Sequence, residues 1–409
     1  MKKIVIILAN ILIFSFSCKS QKEESADKIT VACYYFPNYH TRDTTDLRIS
    51  RQHFENWSEW ELVKNATPRF EGHHQPNVPA WGYTDEKDPA VMQQKIRAAS
   101  EHGIDVFIFD WYTYEGKPFL NRCLDEGFLK AGNTDDIRFA LMWANHDWME
   151  LYPYTGGDAH DYLYDGKVTS EMFDRIGDEI VKQYFTQPNY WLIDGKAYFS
   201  IYDIQNFIHS FGSVEATVRE MKKLNEKAVK AGLKGVHWNL VAWGRAILPG
   251  RDAPANNKEL TELLGFDSAT SYVWIHHAHL PEVQTDYNQV RDQYMNYWDK
   301  VKQDYGVPYY PNVTMGWDSS PRTSQSKEWS STAGYGYPYT NTIGNNTPEN
   351  FKTALQMTKD KLLSDPSGPR ILNINCWNEW TEGSYLEPGT KYGMAYLEAV
   401  KEVFKQYQR

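Results

Sequence analysis

The sequence predicts an α/β fold, a single (β/α)8 TIM barrel with long βα loops, and three observations carry that prediction. Short apolar, β-branched runs alternate with helical stretches along residues 29–409, the alternation of a parallel sheet. There are eight such runs, which is the barrel number. The first ends in Cys33-Tyr34-Tyr35-Phe36-Pro37-Asn38 and lacks the glycine-rich phosphate turn that an open doubly wound sheet usually places there.

The runs read as strands cover residues 29–36, 104–112, 137–145, 197–203, 236–243, 267–274, 309–317 and 371–377. A first helix is predicted over residues 89–102, where Val91, Met92, Ile96 and Ala99 recur at helical spacing. Others are predicted over 170–184, 214–231, 347–363, which opens on the start signal Thr-Pro-Glu, and 394–407. The interval 37–103 is far longer than the roughly two to six residues of an ordinary βα loop. Long βα loops in a barrel build the active site, which sits at the C-terminal ends of the strands. No Pro/Ser/Thr-rich linker divides residues 29–409, so these form one predicted catalytic domain.

Ahead of that domain, Met1-Lys2-Lys3 and the apolar residues 4–16 have the charged and apolar regions of a secretory signal, here residues 1–17. The apolar stretch is too short to span a bilayer as a mature helix. Cys18 at the cleavage point resembles a bacterial lipoprotein signal, which implies lipidation of Cys18 and an exported, membrane-anchored protein of the outer membrane, at the cell surface or in the periplasm. Residues 18–28 are polar and Glu-rich and read as a flexible tether. Their acidic run resembles the surface-export signal of lipoproteins in Gram-negative glycan degraders.

Composition narrows the partners. A net charge of -10 removes the attraction behind most non-specific nucleic-acid binding, so no nucleic acid is expected. Aromatic residues make up 15% of the chain, more than a core needs, which suits a cleft that stacks on sugar rings. The cysteines beyond Cys18 (Cys33, Cys123 and Cys376) show no C-x-x-C pattern, so no metal site is predicted; Cys33 and Cys376 lie in apolar strand runs as small buried thiols, so no disulfide is expected, and no cofactor is implied. No protein partner is implied either.

The strand ends carry the chemistry. They present Tyr34 and Tyr35, Asp110-Trp111-Tyr112, Asn145-His146-Asp147-Trp148, Tyr202-Asp203, Trp243, Trp274 with His276 and His277, Trp317-Asp318, and Asn378-Glu379-Trp380-Thr381-Glu382. Carboxylates among Trp and Tyr are what a glycan site requires: acids and bases for the glycosidic oxygen, and flat faces for the ring. Any single Asp at a strand end reads as well as a helix cap, and any single Trp as core. Glu379 and Glu382 differ because they fall three residues apart directly after the last run. On a turn of helix or a tight loop their Cβ atoms stand roughly 5–6 Å apart. Mutual repulsion in a desolvated cleft raises the pKa of one, leaving an acid beside a base. Carboxyls about 5 Å apart go with retention at the anomeric carbon, and those about 6.5–9.5 Å apart with inversion.

The string Asn378-Glu379-Trp380-x-Glu382-Gly383 followed by Glu387-Pro388 resembles the signature of glycoside hydrolase family 99 and the related WbsX-like proteins of polysaccharide loci. The resemblance extends to Tyr34-Tyr35-Phe36-Pro37, to Phe70-x-Gly72-His73-x-Gln75-Pro76, to Pro79-x-x-Gly82-Tyr83-x-Asp85 and to Gly103-Ile104-Asp105-x-Phe107-Ile108-Phe109-Asp110-Trp111-Tyr112. The first-loop strings match the WbsX-like branch better. What it implies is a barrel that hydrolyses α-mannosides or related glycans with retention. Glu379 would be a base that helps the substrate's 2-hydroxyl attack the anomeric carbon, giving a 1,2-anhydro sugar, and Glu382 the general acid and then base. The implied substrate contacts are Tyr35, His73, Gln75, Asp110, Trp111, Asn145 and Asn378; the strand-end reading adds Trp243 and Trp317.

Three rival readings compete. A glycosyltransferase, the role for which the WbsX-like branch was named, calls for an Asp-x-Asp after an apolar strand or a phosphate-binding turn, and the sequence has neither. A non-catalytic glycan-binding lipoprotein has no need of both glutamates. A metal-dependent hydrolase is suggested by His73-His74 and His276-His277-Ala278-His279, yet adjacent histidines rarely both reach one ion.

Overall fold

A computed structural model describes residues 28–41, 57–151, 162–243, 257–326, 329 and 336–405. The expected signal peptide, Cys18 and all of the tether but Lys28 lie outside these residues. Among them, no helix is long and apolar enough to cross a membrane.

Nine parallel strands form the barrel: β1 (Thr30–Tyr35), β2 (Val106–Tyr114), β3 (Arg138–Trp143), β4 (Lys196–Ile201), β5 (Val236–Val241), β6 (Ser268–Thr270), β7 (Tyr309–Tyr310), β8 (Asn312–Thr314) and β9 (Ile371–Asn375). Their order is β7-β6-β5-β4-β3-β2-β1-β9-β8. Only Pro311 separates β7, which pairs with β6, from β8, which pairs with β9. Proline has no N–H for a ladder, so the predicted run 309–317 is one strand broken there, and its two halves serve the two edges. Eight predicted runs thus give nine strands and a barrel that is nearly closed.

The pleat decides which side chains face the axis. On β1, Tyr34 points inward to meet Tyr272, with ring centroids 4.8 Å apart, whereas Tyr35 faces the helix layer and bonds Met92. On β2 every residue is buried, and Phe107 and Phe109 pack on Phe128 in the outer layer.

A short helix, α1 (Trp60–Asn65), lies in the long first loop against the turns over Ser320–Arg322 and Trp380–Glu382, and the outer layer includes α2 (Pro89–Glu101), α3 (Ser170–Ile180), α4 (Ile204–Phe211), α5 (Val214–Lys230), α6 (Asn257–Leu264), α7 (Tyr287–Tyr305), α8 (Pro348–Ser364) and α9 (Ala395–Phe404). The Thr-Pro-Glu start signal acts as read, Thr347 Oγ1 accepting from Asn350 N ahead of Pro348, and the structure adds a second cap, the Asp88 carboxylate accepting from Ala90 N ahead of Pro89. The predicted helix 170–184 is α3 followed by a wider π turn over Val181–Phe185. Residues 406–407 of the last predicted helix are outside the described chain. The nineteen-residue α7 was not expected from the sequence. The predicted run 267–274 contracts to β6, and Trp274–His276 forms a 3-10 turn instead.

Candidate active site

A cleft of about 600 Å³ opens where the strands end. Asp110, Glu379, Glu382 and Arg322 line it, among Phe36, Tyr112, His146, Trp148, Tyr202, Tyr272, Trp317 and Tyr337.

The two glutamates stand on a tight loop after β9. Asn378–Glu379 pairs antiparallel with Ser384–Tyr385 across a 3-10 turn over Trp380–Glu382. Gly383 ends that turn at φ 64°, and a Cβ there would lie 2.9 Å from Asp318 Cβ, so both conformation and space call for glycine. The turn directs Glu379 and Glu382 into one cleft.

Arg322, from a 3-10 turn over Ser320–Arg322 after β8, holds both of them. Its Nη2 donates to Glu379 Oε1 at 2.7 Å, its Nη1 to Glu382 Oε1 at 2.6 Å, and its Nε to Glu59 Oε1 at 3.3 Å. Tyr337 OH also donates to Glu382 Oε1, at 2.7 Å. Tyr272 OH lies 2.9 Å from Asp110 Oδ2 and 3.3 Å from Glu379 Oε2. Burial pushes all three acids above the ordinary carboxylate range. For Glu379 the charge of Glu382 adds to burial while Arg322 opposes it; for Glu382, Arg322 and the Tyr337 hydrogen bond oppose it. The arrangement supplies paired acids and a base in a desolvated, aromatic-walled cleft, the equipment for proton transfer at a glycosidic oxygen.

A buried network holds the loop from behind. Asn378 accepts from Phe36 N at 2.9 Å and donates to Phe36 O and to Glu86 Oε1, each at 2.8 Å. Lys95 bridges Glu86 at 2.6 Å and Glu387 at 2.5 Å. Thr381 Oγ1 donates to Glu59, which ties the loop back to the arginine's third partner.

Of the residues singled out in the sequence, Asp110, Tyr112, His146, Trp148, Tyr202, Trp317, Glu379 and Glu382 line the cleft. The others take different places. Tyr35 is fully buried outside the barrel wall and donates to Glu86 at 2.8 Å. Trp111 faces outward and packs on Trp143. Asn145 clamps the end of β3 to α4 by bonds to both backbone polar atoms of Asp203, and Trp243 donates to Tyr202 O and stacks on His276. Asn378 orients the loop without lining the cleft. His73 and Gln75 both converge on Asp318 Oδ2, at 2.8 and 2.5 Å. His73 and Asp318 line a second, more polar cavity of about 680 Å³, and Trp317 borders both cavities. Of the paired histidines, His276 stacks on Trp243, His277 bonds Ser271 and stacks on Tyr297, and His279 is exposed.

Sequence reasoning missed Arg322, Tyr272 and Tyr337. Tyr272 was hidden inside a run read as strand to residue 274, and Arg322 lies five residues past the last strand-end aromatic, Trp317. Nothing in the sequence marks Tyr337.

Residues 31–400 match the model of the family described as glycosyltransferase WbsX. The chain belongs to that family. It is 27% identical over 385 residues to the uncharacterized protein WxcX of Xanthomonas campestris pv. campestris, an alignment that covers 91% of this chain and 49% of the relative. The chain therefore spans about half the length of the curated relatives it matches. Among solved structures, a glycoside hydrolase-like protein aligns with TM-score 0.56 at 13% identity, covering 93% of this chain and 95% of the other. A family 99 endo-α-mannosidase from Bacteroides thetaiotaomicron, complexed with Bis-Tris propane, aligns with TM-score 0.51 at 13% identity over 92% and 96%. This WbsX-family member thus shares its barrel with glycoside hydrolases.

Proposed function

We propose that this WbsX-family protein is an exported, lipid-anchored, retaining glycoside hydrolase that cleaves an α-mannoside or a related complex polysaccharide with Glu379 and Glu382. The observation that carries the reading is the convergence of both glutamates on Arg322 in a cleft walled by Phe36, Tyr112, Trp148, Tyr202 and Trp317. Such walls suit the C–H faces of sugar rings.

Arg322 and Tyr272 both donate to Glu379, which favours its ionised form and suits it to act as base. Following the route implied by the family 99 resemblance, Glu379 takes the proton of the 2-hydroxyl as O2 bonds to the anomeric carbon. The glycosidic C–O bond breaks, and the leaving oxygen takes its proton from Glu382. Glu382 then removes a proton from water, which opens the 1,2-anhydro ring at the anomeric carbon, and O2 recovers its proton from Glu379. Two inversions give retention. The second cavity across Trp317 suits a substrate longer than one sugar unit.

The family's name favours a transferase as the second reading. Against it, three carboxyls line the cleft and its arginine is already shared among glutamates, an environment unfavourable to the diphosphate of a nucleotide sugar.

The deciding experiment incubates residues 29–409 with α-mannans, host N-glycans and pectic and bacterial polysaccharides, and repeats it with Glu382→Gln. Oligosaccharide release that disappears in the variant is expected. Sugar transfer from a nucleotide donor without hydrolysis would refute the reading.

A further inference from the structure

The three carboxyls of the cleft are unequally served. Arg322 pairs with Glu379 and Glu382, but among the described residues no cation pairs with Asp110, which is 2% exposed on β2. Asp110 meets Tyr272 OH at 2.9 Å, and the same phenol oxygen lies 3.3 Å from Glu379 Oε2. A phenol has one proton to donate, and this one stands between two carboxyl oxygens. Were both carboxyls ionised, one of these contacts would set lone pairs against lone pairs, and Asp110 would hold an unpaired charge out of water. A single added proton on Asp110 Oδ2 removes both faults. Asp110 then donates to Tyr272, and Tyr272 donates to Glu379.

We propose that Asp110 is a resident carboxylic acid at neutral pH, and that the chain from Asp110 through Tyr272 to Glu379 keeps Glu379 ionised as a base. Placing the proton on Glu379 instead would weaken its charged hydrogen bond to Arg322. The titratable groups around Asp110 are the phenols of Tyr34, Tyr202 and Tyr272, the thiols of Cys33 and Cys376, and the carboxyls of Glu379 and Glu382. The basic side chains on the described lining are Arg322, which faces the glutamates, and His146, whose Nδ1 bonds Asp147 O. Burial, reinforced by the charge of Glu382, raises the proton affinity of Asp110 against the hydrogen bond that Tyr272 would give the ionised carboxylate. Asp110 acts through Tyr272 and is a positioning residue. Its role rests on the reading of Glu379 as base, but its protonation does not.

Infrared spectroscopy of the protein, with carboxyl-¹³C aspartate incorporated, tests the protonation without any substrate. The expected result is a protonated-carboxyl band at neutral pH that shifts with the aspartate label and loses intensity in Asp110→Asn, whose amide can still donate to Tyr272. Absence of such a band overturns the proposal. So does a band that ignores the label and vanishes in Glu379→Gln. A second variant, Tyr272→Phe, tests the chain and guards against an Asp110 variant that fails to fold. Once a cleaved glycan is known, the acid limb of kcat/KM should move up by about one pH unit, a tenfold rise in the proton affinity of Glu379. An unmoved limb refutes the chain. If no glycan is cleaved, the infrared result still decides where the proton sits, so failure of the hydrolase reading is separable from failure of this one.

Discussion

Trp380 donates its indole N–H to Glu387 Oε2 at 2.8 Å, and Glu387 in turn holds the buried ammonium of Lys95 at 2.5 Å. The loop that presents Glu379 is thereby fixed to α2, because Lys95 also pairs with Glu86 and Glu86 accepts from Asn378. Replacing Lys95 by Met leaves two carboxylates out of water with no cation. Removing one partner of a buried pair costs about 3–5 kcal/mol. The expected outcome for Lys95→Met is a loss of that order in urea unfolding, with a lower midpoint and an unchanged slope. A loss under about 1 kcal/mol would show that the network is solvated in solution.

The candidate acid is tested by rate. Glu382→Gln removes a proton donor while keeping shape, and general-acid catalysis contributes about 10²–10⁴-fold. Turnover of the native glycan should fall by at least that factor for poor leaving groups. Tyr337→Phe, which deletes one hydrogen bond to the same oxygen, should cost far less. Near-normal turnover by Glu382→Gln would remove the assignment.

Stability against pH provides a third check. The folded-state pKa of Asp110 is raised by burial, so its contribution to stability is complete below the unfolded value of about 3.9 and is lost as pH rises toward the folded value. Within that window wild type should lose about 1.4 kcal/mol per pH unit from this group alone. Asp110→Asn lacks the term. The stability difference, wild type minus variant, should therefore fall as pH rises above about 4, other groups cancelling in the subtraction. A difference that is flat or rising across pH 4–7 contradicts the raised value.

The barrel was legible because its signals are local. Alternating apolar runs fixed the strand positions, the spacing of Val91, Met92, Ile96 and Ala99 marked one helix, and Thr347 with Pro348 marked the start of another. What escaped depended on contacts between distant segments. The face of α7 is Tyr287, Val290, Tyr294, Trp298, Val301 and Tyr305, a proper helical spacing, but built so largely of aromatics that it did not register as an apolar stripe. Arg322 joins the site through side chains 57 and 60 residues away, a relation no local pattern encodes. The family resemblance implies Tyr35, Trp111 and Asn145 as substrate contacts and all three stand at strand ends, yet each bonds or packs within the protein. The two-residue period of a strand could have separated Asp110, facing in, from Trp111, facing out.

That separation yields the last prediction. Trp111 is 3% exposed and packs against Trp143 of β3 on the outward face of the barrel wall, whereas Trp148 lines the cleft. Trp111→Ala should open a core cavity and cost about 3–5 kcal/mol, with KM for the cleaved glycan unchanged in the surviving folded protein. Trp148 also touches Tyr112 and Phe119, so Trp148→Ala costs stability too, but it removes cleft wall and should raise KM. Thermal unfolding and initial rates on the two variants decide between these placements. A raised KM for Trp111→Ala beside an unchanged one for Trp148→Ala would reverse the assignment of faces on β2, and with it the position of Asp110 inside the cleft.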